Sequence, residues 1–375
     1  MWNEQTAPRA AALPGAEIAA SLVPRLAATE REHDLAGRYA EGNLAVIAEA
    51  GLLGLNVPAE LGGIGESLSG TVETLRVIAH GSPSAALMLA MHTSTLSHYT
   101  IDPRHIPVRE RVAFLEQREW AYREALEGRI FGVANSEAGA GGDVKRSKAR
   151  IEDGLITGVK SFCSMGTHAD YFLAAARDEA EKVDYYLVRN EAEKVSVAAE
   201  WDAIGMRSSD SVSLRFDGAP VIGPFAYKGL IDGVNNRHWA TVSFAAIFTG
   251  IAESLLEEVS RQRGGILHQT NTVDLHLTVQ SCLAFVRHCV ATEPEVADAA
   301  YRRLVRDCKL FVTRSLAQQA SALYIAQGGS AYRFGSSVSR KLRDLLAGPA
   351  VRPPVGVSFD ELWEELAAGG ENNRV

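Results

Sequence analysis

The sequence predicts an α+β protein in three consecutive parts: a helical N-terminal domain, a small central β-barrel or β-sandwich, and a C-terminal helical bundle. Two patterns predict this order. Apolar residues recur every third or fourth position in the outer parts, whereas short β-type runs with turn residues between them fill the middle. With 375 residues and 46% hydrophobic content, the chain can bury a large core. We therefore expect domains over 1–128, 129–225 and 226–366, followed by a disordered tail over 367–375.

The N-terminal part is predicted to be helical from two segments. One reads AEGNLAVIAEAGLLGLNVP, in which apolar residues recur at helical spacing until a proline ends the pattern. The other reads SPSAALMLAMHTSTLSHY and begins at Ser82 and Pro83, residue types that favour the start of a helix.

The central part contains six short β-type runs separated by Asp-Gly and Gly turns. The runs are RIFGVANSE, KARIEDGLITGVKSF, DYFLAAAR, VDYYLVR, KVSVAAEW and SVSLRF. Short strands at this spacing are typical of a small barrel or sandwich.

The C-terminal part returns to helical periodicity. HWATVSFAAIFTGIAESLLEEVSRQ is apolar almost all round in its first half, so we expect this helix to be central and buried. Two further helices are predicted from VDLHLTVQSCLAFVRHCVATE and from RRLVRDCKLFVTRSLAQQASALYIAQGG, the second ending at a Gly-Gly stop.

Composition excludes several classes of partner. A net charge of −8 argues against nucleic acid or an anionic membrane surface, and no apolar run approaches the roughly 20 residues that cross a bilayer. The acidic residues near the N-terminus are unlike a secretory signal, so we expect a cytoplasmic protein. Because the cysteines show no CxxC spacing, we expect neither a metal site nor disulfides; they are Cys163, Cys282, Cys289 and Cys308.

The glycine-rich stretch SEAGAGGD, residues 136–143, raises the question of a phosphate-binding loop. No Gly-Lys-Ser/Thr follows the glycines, so it is not a Walker A loop. The first Gly-x-Gly turn of a dinucleotide fingerprint is also absent, and a β-rich stretch follows instead of a helix.

The order of the parts and five motifs within them resemble the acyl-CoA dehydrogenase superfamily of flavoproteins over roughly residues 30–350. The motifs are EAGLLGLNVPAELGG, SEAGAGGD, ITGVKSFCSMGTHADYF, IGMRSSDSVSLRFDGAPV and ALYIAQGGSAYRFGSSVSRKLRD. The resemblance implies the acyl-CoA dehydrogenase fold and a bound flavin, FAD in most members.

The resemblance also implies which residues contact the flavin. Ser136 and Ser164 stand where the family has hydroxyl residues that hydrogen-bond the ring, and Phe162 replaces a stacking tryptophan. Cys163, which lies between Phe162 and Ser164, is implied to contact the flavin as well. Hydroxyl donors at these places favour the anionic reduced flavin.

A further segment is implied to contact the ADP portion of a neighbouring subunit's FAD, and so implies at least a dimer. It consists of Gln327, Gly328 and Gly329, where glycine lets backbone approach a pyrophosphate. The family's Arg-x-x-Phe, which reaches the same pyrophosphate, falls on Ile266 and Gln269 and is missing; FMN, or reduced flavin supplied by another protein, is therefore an alternative to FAD.

The sequence departs from the family in its catalytic base. One subgroup carries a Glu in the loop after the Arg-Asp motif, but here that loop reads RDLLAGPAVRPP. The other carries a Glu-Arg pair at the start of a C-terminal helix, which falls on Ala240 and Thr241 or, one turn earlier, on Asn236 and Arg237. We therefore expect Arg237 as a substrate contact, and Asn236 and Glu253 as catalytic candidates. Glu253, three residues past Gly250, is the nearest carboxylate; the alternative is that it faces another helix.

Other candidates complete the predicted site. Gly142 stands where the family has a serine that helps to hold the pantetheine arm, so we expect a substrate contact there with weaker CoA binding. His92 and His238 are candidates to act near the flavin, as histidines do in members of this fold that are monooxygenases; the alternative is that each is an ordinary structural histidine.

Three functions follow from this pattern. The first is a flavin-dependent oxidoreductase of the dehydrogenase type, acting on an acyl thioester of CoA or a carrier protein, or on a related small metabolite. The second is a two-component monooxygenase that takes reduced flavin from a separate reductase, because such chemistry needs no α-proton base. The third is a non-catalytic subunit of a heteromeric pair, whose sister subunit supplies the glutamate. A homo-oligomer, dimer or tetramer, fits the first two.

Overall fold

The N-terminal part of the chain is helical. The computed structural model describes residues 13–140, 143–225 and 238–371. Ser82 caps a helix that starts at Pro83, as expected, with its side chain accepting from Ala85 N at 3.1 Å. The helices of this part are α1 (Pro14–Ala36), α2 (Glu41–Glu49), α3 (Leu68–Gly81), α4 (Pro83–Ser97) and α5 (Val108–Leu126).

The central part is a closed β-barrel. Its strands are β1 (Phe131–Ala134), β2 (Arg150–Glu152), β3 (Leu155–Cys163), β4 (Tyr171–Arg177), β5 (Val183–Arg189), β6 (Val195–Ala199) and β7 (Val212–Pro224). Strand β4 pairs with β5, β5 with β7, β7 with β3, β3 with β2, and β2 returns to β4 through Arg150 and Arg177. Side chains from alternate positions fill the barrel, where Phe172 and Phe216 meet edge to face at 5.6 Å.

One of the six predicted β-type runs is two strands. In KARIEDGLITGVKSF, Asp153 and Gly154 both adopt positive φ, +51° and +73°, and turn β2 back onto β3. Positive φ at both central residues is the geometry of a type I′ hairpin, which Asp-Gly favours. The run therefore forms a hairpin, and the sheet has seven strands rather than six.

Helices return after the barrel. They are α6 (Trp239–Ser260), α7 (Ile266–Ala291), α8 (Ala299–Gln327), α9 (Gly329–Tyr332), α10 (Ser337–Leu346) and α11 (Val355–Glu371). Helix α6 is long and apolar enough to cross a membrane, but 72% of its 18-residue apolar stretch is buried inside the fold. It is the central helix of the core, packed against α3, α4, α7, α8 and α10, as the sequence predicts.

The predicted fold class is therefore confirmed, with one correction at the C-terminus. Helix α11 continues to Glu371, so the expected disorder does not begin at residue 367; the Ala-Ala pair preceding the glycines extends the helix because alanine favours it. Residues 372–375 lie outside the described part of the chain. The predicted domain boundaries stay a prediction. The four cysteines are buried and free.

Candidate active site

Ser136 lies just beyond β1, against the end of β3. The backbone of the two segments pairs once, with Ser161 N–H donating to Ser136 O at 2.8 Å. This bridge places the first residue of the SEAGAGGD stretch next to Phe162, the following residue of β3. Two of the positions that the sequence assigns to flavin contact, Ser136 and Phe162, are thus adjacent in space.

Glu137, the acid beside Ser136, is a structural residue. The ammonium of Lys160, which is fully buried, donates to Glu137 Oε1 at 2.5 Å, to Ser147 Oγ at 3.0 Å and to Ala175 O. Glu137 also accepts from the backbone N–H of Lys148 at 2.7 Å. Burial acts to raise the pKa of Glu137, but the hydrogen bonds from Lys160 and Ser147 outweigh it, and the pKa is lowered. The carboxylate therefore fixes the loop and is not available as a base.

Phe162 projects from the barrel at the end of β3. Its side chain is 63% exposed, and its backbone is left-handed with φ +57°. A positive φ is costly for an aromatic residue and occurs mainly where function maintains it. The ring has one edge-to-face contact, with Trp201 at 6.1 Å. An apolar ring presented in this way is a stacking surface.

Cys163 points the other way. It is fully buried in the barrel, paired with Val212 of β7, and burial raises the pKa of its thiol to about 12. Because successive side chains of a strand face opposite sides, the exposure of Phe162 places Cys163 inside. Its predicted contact with the flavin is therefore wrong for the side chain.

Ser164 is the end of a buried chain of three hydroxyl groups. Ser209 Oγ donates to Met206 O at 2.7 Å, so its single proton is used there. Ser211 must then donate to Ser209 across 2.8 Å, and Ser164 must donate to Ser211 across 2.8 Å. This series of hydrogen bonds uses the hydroxyl proton of Ser164, so its oxygen can only accept from any further group. The expectation that Ser164 donates to the flavin is corrected, because its proton is already committed.

Arg352 is the site residue that sequence reasoning missed. It lies in the loop after α10, where the family has a catalytic glutamate, and its Nη1 donates to Ser136 Oγ at 3.1 Å. Its charge also acts on Glu137 and Tyr185. Burial lowers the pKa of Arg352, yet a guanidinium stays charged at neutral pH. Its position, a lone arginine between the Arg-Asp motif and a Pro-Pro pair, was visible in the sequence.

The loop that carries Arg352 is held from α8. The ammonium of Lys309, which is fully buried, donates to the carbonyls of Val351 and Pro353, at 2.7 Å each. Burial lowers the pKa of Lys309 to about 7. These two bonds flank Arg352 on both sides and fix the backbone from which its side chain extends.

His92, in α4, connects the N-terminal helices to strand β1 of the barrel. Its Nδ1 accepts from Phe131 N–H of β1 at 3.1 Å, so the other nitrogen carries the proton and donates to Leu53 O at 2.8 Å. The ring is buried, and burial lowers its pKa to about 4. With both nitrogens engaged, His92 is a structural histidine, the alternative left open by the sequence, and its candidacy as a catalytic group is wrong.

Glu253 faces α3 and not the barrel. Its carboxylate pairs with Arg76, and with His80 Nε2 at 3.2 Å. Burial acts to raise the pKa of Glu253, but hydrogen bonds and charges of His80 and Arg76 lower it. Gly250, one turn earlier on the same face, packs so tightly on α3 that an added Cβ would lie 2.2 Å from Arg76 O. Glu253 is therefore an interhelical ion-pair residue and is not the missing base.

His238 precedes α6 in a left-handed conformation, with φ +56°. Burial lowers its pKa to about 4, and the nearby charges of His98 and Arg302 act in the same direction. A neutral imidazole at this place stays a candidate. Three other predicted residues, Gly142, Asn236 and Arg237, lie outside the described residues.

The Gln-Gly-Gly segment lies at the junction of α8 and α9. Gln327 Nε2 is 3.0 Å from His268 Nδ1, and Gly328 has φ +61° and ψ −149°, a conformation that only glycine adopts easily. An added Cβ at Gly328 or Gly329 would meet no atom of the described residues within 4 Å. Space beside both glycines is consistent with the predicted approach of a neighbouring subunit's cofactor, which stays a prediction.

The residues present fit a flavin. An exposed aromatic ring, a hydroxyl and a cation lie together where β1 and β3 meet the loop after α10: Phe162, Ser136 and Arg352. Apolar stacking area plus a few placed polar groups is what a flavin ring requires.

Two sequence profiles match the chain. The N-terminal domain of acyl-CoA dehydrogenase matches residues 16–102, and the middle domain matches residues 132–219. Together with the three-part fold, they show that the chain carries the N-terminal and middle domains of the acyl-CoA dehydrogenase kind and has the acyl-CoA dehydrogenase fold.

The relatives with similar sequences include a nitrososynthase and a monooxygenase, whereas a butyryl-CoA dehydrogenase from Megasphaera elsdenii is among the solved structures that share the fold, with a TM-score of 0.80 at 15% identity, covering 96% of this chain and 100% of that one. Amino sugar nitrososynthase DnmZ of Streptomyces peucetius is 27% identical, over 92% of this chain and 91% of its own length. A dibenzothiophene monooxygenase of Rhodococcus erythropolis is 28% identical over 64% of this chain and 60% of its own length. Among solved structures, FMN-bound TdsC from Paenibacillus sp. A11-2 shares the fold, with a TM-score of 0.77 at 22% identity, covering 92% of this chain and 95% of that one.

Proposed function

We propose that this protein is a two-component monooxygenase that accepts reduced flavin from a separate reductase and oxygenates a small molecule. The proposal rests on Arg352. At the place where the dehydrogenases of the family present a carboxylate, this chain presents a guanidinium hydrogen-bonded to Ser136. A cation cannot remove the α-proton of an acyl thioester, but it stabilises negative charge on the flavin and on reduced oxygen.

The serine chain supports the same reaction. Ser164 is fixed as an acceptor, and reduced flavin carries a ring N–H donor at the position where oxidised flavin carries a lone pair. A hydroxyl that can only accept therefore prefers the reduced form. Reduced flavin, when bound, supplies two electrons to dioxygen, so that one oxygen atom enters the substrate and the other leaves as water.

The groups that would hold the cofactor are few. Phe162 supplies the stacking surface, Ser136 and Ser164 supply polar contacts, and Arg352 supplies charge. The buried pair of Lys160 and Glu137 keeps Ser136 in place. Either FAD or FMN meets these requirements, because each of these residues would contact the isoalloxazine ring that both cofactors share.

The relatives support the choice of reaction. One is named for nitroso formation on an amino sugar and another for oxygenation of dibenzothiophene. We infer that the substrate is a small molecule with an oxidisable nitrogen or sulfur atom. The other expected partners are a flavin reductase and a second copy of this chain, in the cytoplasm.

The test is oxygen transfer in a reconstituted system. The purified chain is combined with a flavin reductase, NADH, FAD or FMN, and ¹⁸O₂, and amino sugars and thiophenes are screened for products that gain one labelled oxygen. We expect labelled product only with both proteins present. Tightly bound FAD that is bleached anaerobically by an acyl-CoA would overturn the proposal in favour of a dehydrogenase, and flavin binding only with a co-purified sister subunit would favour the non-catalytic role.

Arg352 is tested separately by anaerobic flavin titration. We expect Arg352→Gln to weaken binding of reduced flavin about ten-fold more than binding of oxidised flavin, since one charge-assisted contact contributes about 1.5–3 kcal/mol. Ser136→Ala keeps the charge and should have a smaller effect. The matched control is Arg109→Gln, which removes an 86% exposed guanidinium of α5. Equal losses for both redox forms would contradict the assigned role.

A further inference from the structure

A cavity of about 470 Å³ lies between α1, α6 and α10. Its lining includes Gly335, Ser336 and Ser337 at the N-terminal end of α10, whereas the loop that carries Arg352 follows the other end. The cavity is therefore separate from the candidate flavin site. Its charged lining residues are the cations Arg31, Arg261, Arg340 and Lys341 and the carboxylates Asp34, Glu257 and Glu258.

All three carboxylates have cationic partners, Glu257 pairing with Arg261 Nη2 at 3.9 Å. Asp34 accepts from both Nη atoms of Arg343, at 3.0 and 2.5 Å. Glu258 accepts from Lys341 Nζ at 2.8 Å and from Ser337 Oγ at 2.7 Å. Since Arg343 lies outside the lining, the cavity keeps an excess of positive charge.

Arg340 is the central feature of the cavity. Its side chain lines the wall, the residue is only 8% exposed, and its Nε and Nη1 have no hydrogen-bond partner among the described residues. The carboxylates of Glu30 and Asp344 act on it through space. Because Nε and Nη1 are sealed from solvent, Nη2 is the nitrogen left to face the cavity, and an anion beside it would offset part of the cost of the buried charge.

The start of α10 adds a second set of donors. Ser336 caps this ten-residue helix, its Oγ accepting from Ser339 N at 3.1 Å, and both Ser336 and Ser337 line the cavity. The first N–H groups of a helix lack partners within it and carry partial positive charge. Arg31 also lines the cavity, its Nε donating to Gly335 O at 3.1 Å.

We propose that this cavity binds a phosphate group, as inorganic phosphate or as the phosphate of a small metabolite. The guanidinium of Arg340 and the N-terminal N–H groups of α10 would share its oxygens. A phosphate dianion would balance the excess positive charge. Its oxygens can accept hydrogen bonds from the guanidinium of an arginine and from the free N–H groups at a helix N-terminus. The site does not depend on the flavin or on the proposed reaction.

The test is calorimetric titration of the full chain in phosphate-free buffer, with inorganic phosphate in one arm and glucose 6-phosphate in the other. We expect saturable 1:1 binding, at least ten-fold weaker in Arg340→Gln and unchanged in Arg109→Gln. Tighter binding of the sugar phosphate would assign an organic phosphate ester, and equal binding would assign the free ion. No saturable binding of either probe to the wild type, or wild-type affinity in folded Arg340→Gln, overturns the proposal.

A second variant decides the matter should Arg340→Gln fail to fold by circular dichroism. Gly335→Asp places a carboxylate beside Arg31 at the mouth of the cavity, and the added Cβ would lie at ordinary contact distance, 3.4 Å, from Arg31 Nη2. We expect at least ten-fold weaker phosphate binding because the new carboxylate repels the ligand and occupies Arg31. Undiminished binding in Gly335→Asp contradicts a site at this end of α10.

Discussion

At the scale of single residues, the protonation of His92 is coupled to folding. The folded protein holds the ring neutral until about pH 4, whereas its ordinary pKa is 6.5. Between these values the unfolded chain binds more protons than the folded one, so stability rises with pH across this window and is lost as pH falls. Glu30, whose pKa burial raises to about 7, acts in the opposite direction. The effect of His92 is therefore measured as a difference between variants, in which Glu30 cancels.

The expected outcome concerns His92→Gln. Glutamine can accept from Phe131 N–H and donate to Leu53 O, but it does not titrate. Relative to this variant, the wild-type free energy of unfolding should fall by up to about 3 kcal/mol between pH 7 and pH 4, at 1.36 kcal/mol per pKa unit. Denaturant unfolding at several pH values measures the difference. A difference independent of pH would show that His92 titrates normally in the folded protein.

At the scale of elements, the loop after α10 is positioned by α8. Lys309 holds Val351 and Pro353, and these flank the arginine that reaches Ser136. Loops are mobile unless their backbone groups are bonded, so the precision of the site depends on one buried ammonium. Helix α8 thus supports the loop of the candidate flavin site through Lys309.

We expect Lys309→Met to loosen this loop while leaving the helices folded. Methionine keeps the apolar volume, but two carbonyls lose their donor, at about 1–3 kcal/mol. Amide hydrogen exchange of residues 348–354 should accelerate about ten-fold or more, and binding of reduced flavin should weaken. Lys182→Met, at an exposed position before β5, is the control for loss of a positive charge. Unchanged exchange in the loop would show that Lys309 does not position it.

At the scale of the whole molecule, the C-terminal helices leave large apolar side chains uncovered. Ile266 and Leu277 of α7 are 79% and 59% exposed, and Ile325 of α8 is 73% exposed, close to the Gln-Gly-Gly segment. Apolar exposure of this extent on helices is typical of an association surface. We propose that a second copy of the chain covers it, which agrees with the approach predicted at Gly328 and Gly329.

The expected mass in solution is at least twice the 40.4 kDa of one chain, measured by light scattering after size exclusion. Ile325→Asp combined with Leu277→Asp should shift the protein toward monomer, because a desolvated carboxylate is costly in an apolar interface. Val108→Asp, at an 80% exposed position of α5, is the matched control. A monomeric wild type would refute the proposal.

Local sequence patterns predicted the elements well because their information is local. The spacing of apolar residues located α4 and α6, Ser82 and Pro83 marked a helix start, and Asp153 and Gly154 made a hairpin. The motif order also pointed to Ser136 and Phe162, which the fold brings together and whose contact with flavin stays a prediction. The run KARIEDGLITGVKSF reads as one strand in the sequence but forms a hairpin of two, because hydrophobic alternation continues on both sides of its turn.

What the sequence by itself determined is the order of the helical and β parts and the fold that they form. Only the tertiary structure decided what the polar side chains do there. Glu137, His92 and Glu253 are engaged by Lys160, Phe131 and Arg76, and Ser136 is reached by an arginine 216 residues further along the chain. A hydrogen-bond partner is set by packing between distant segments, and periodicity carries no information about it.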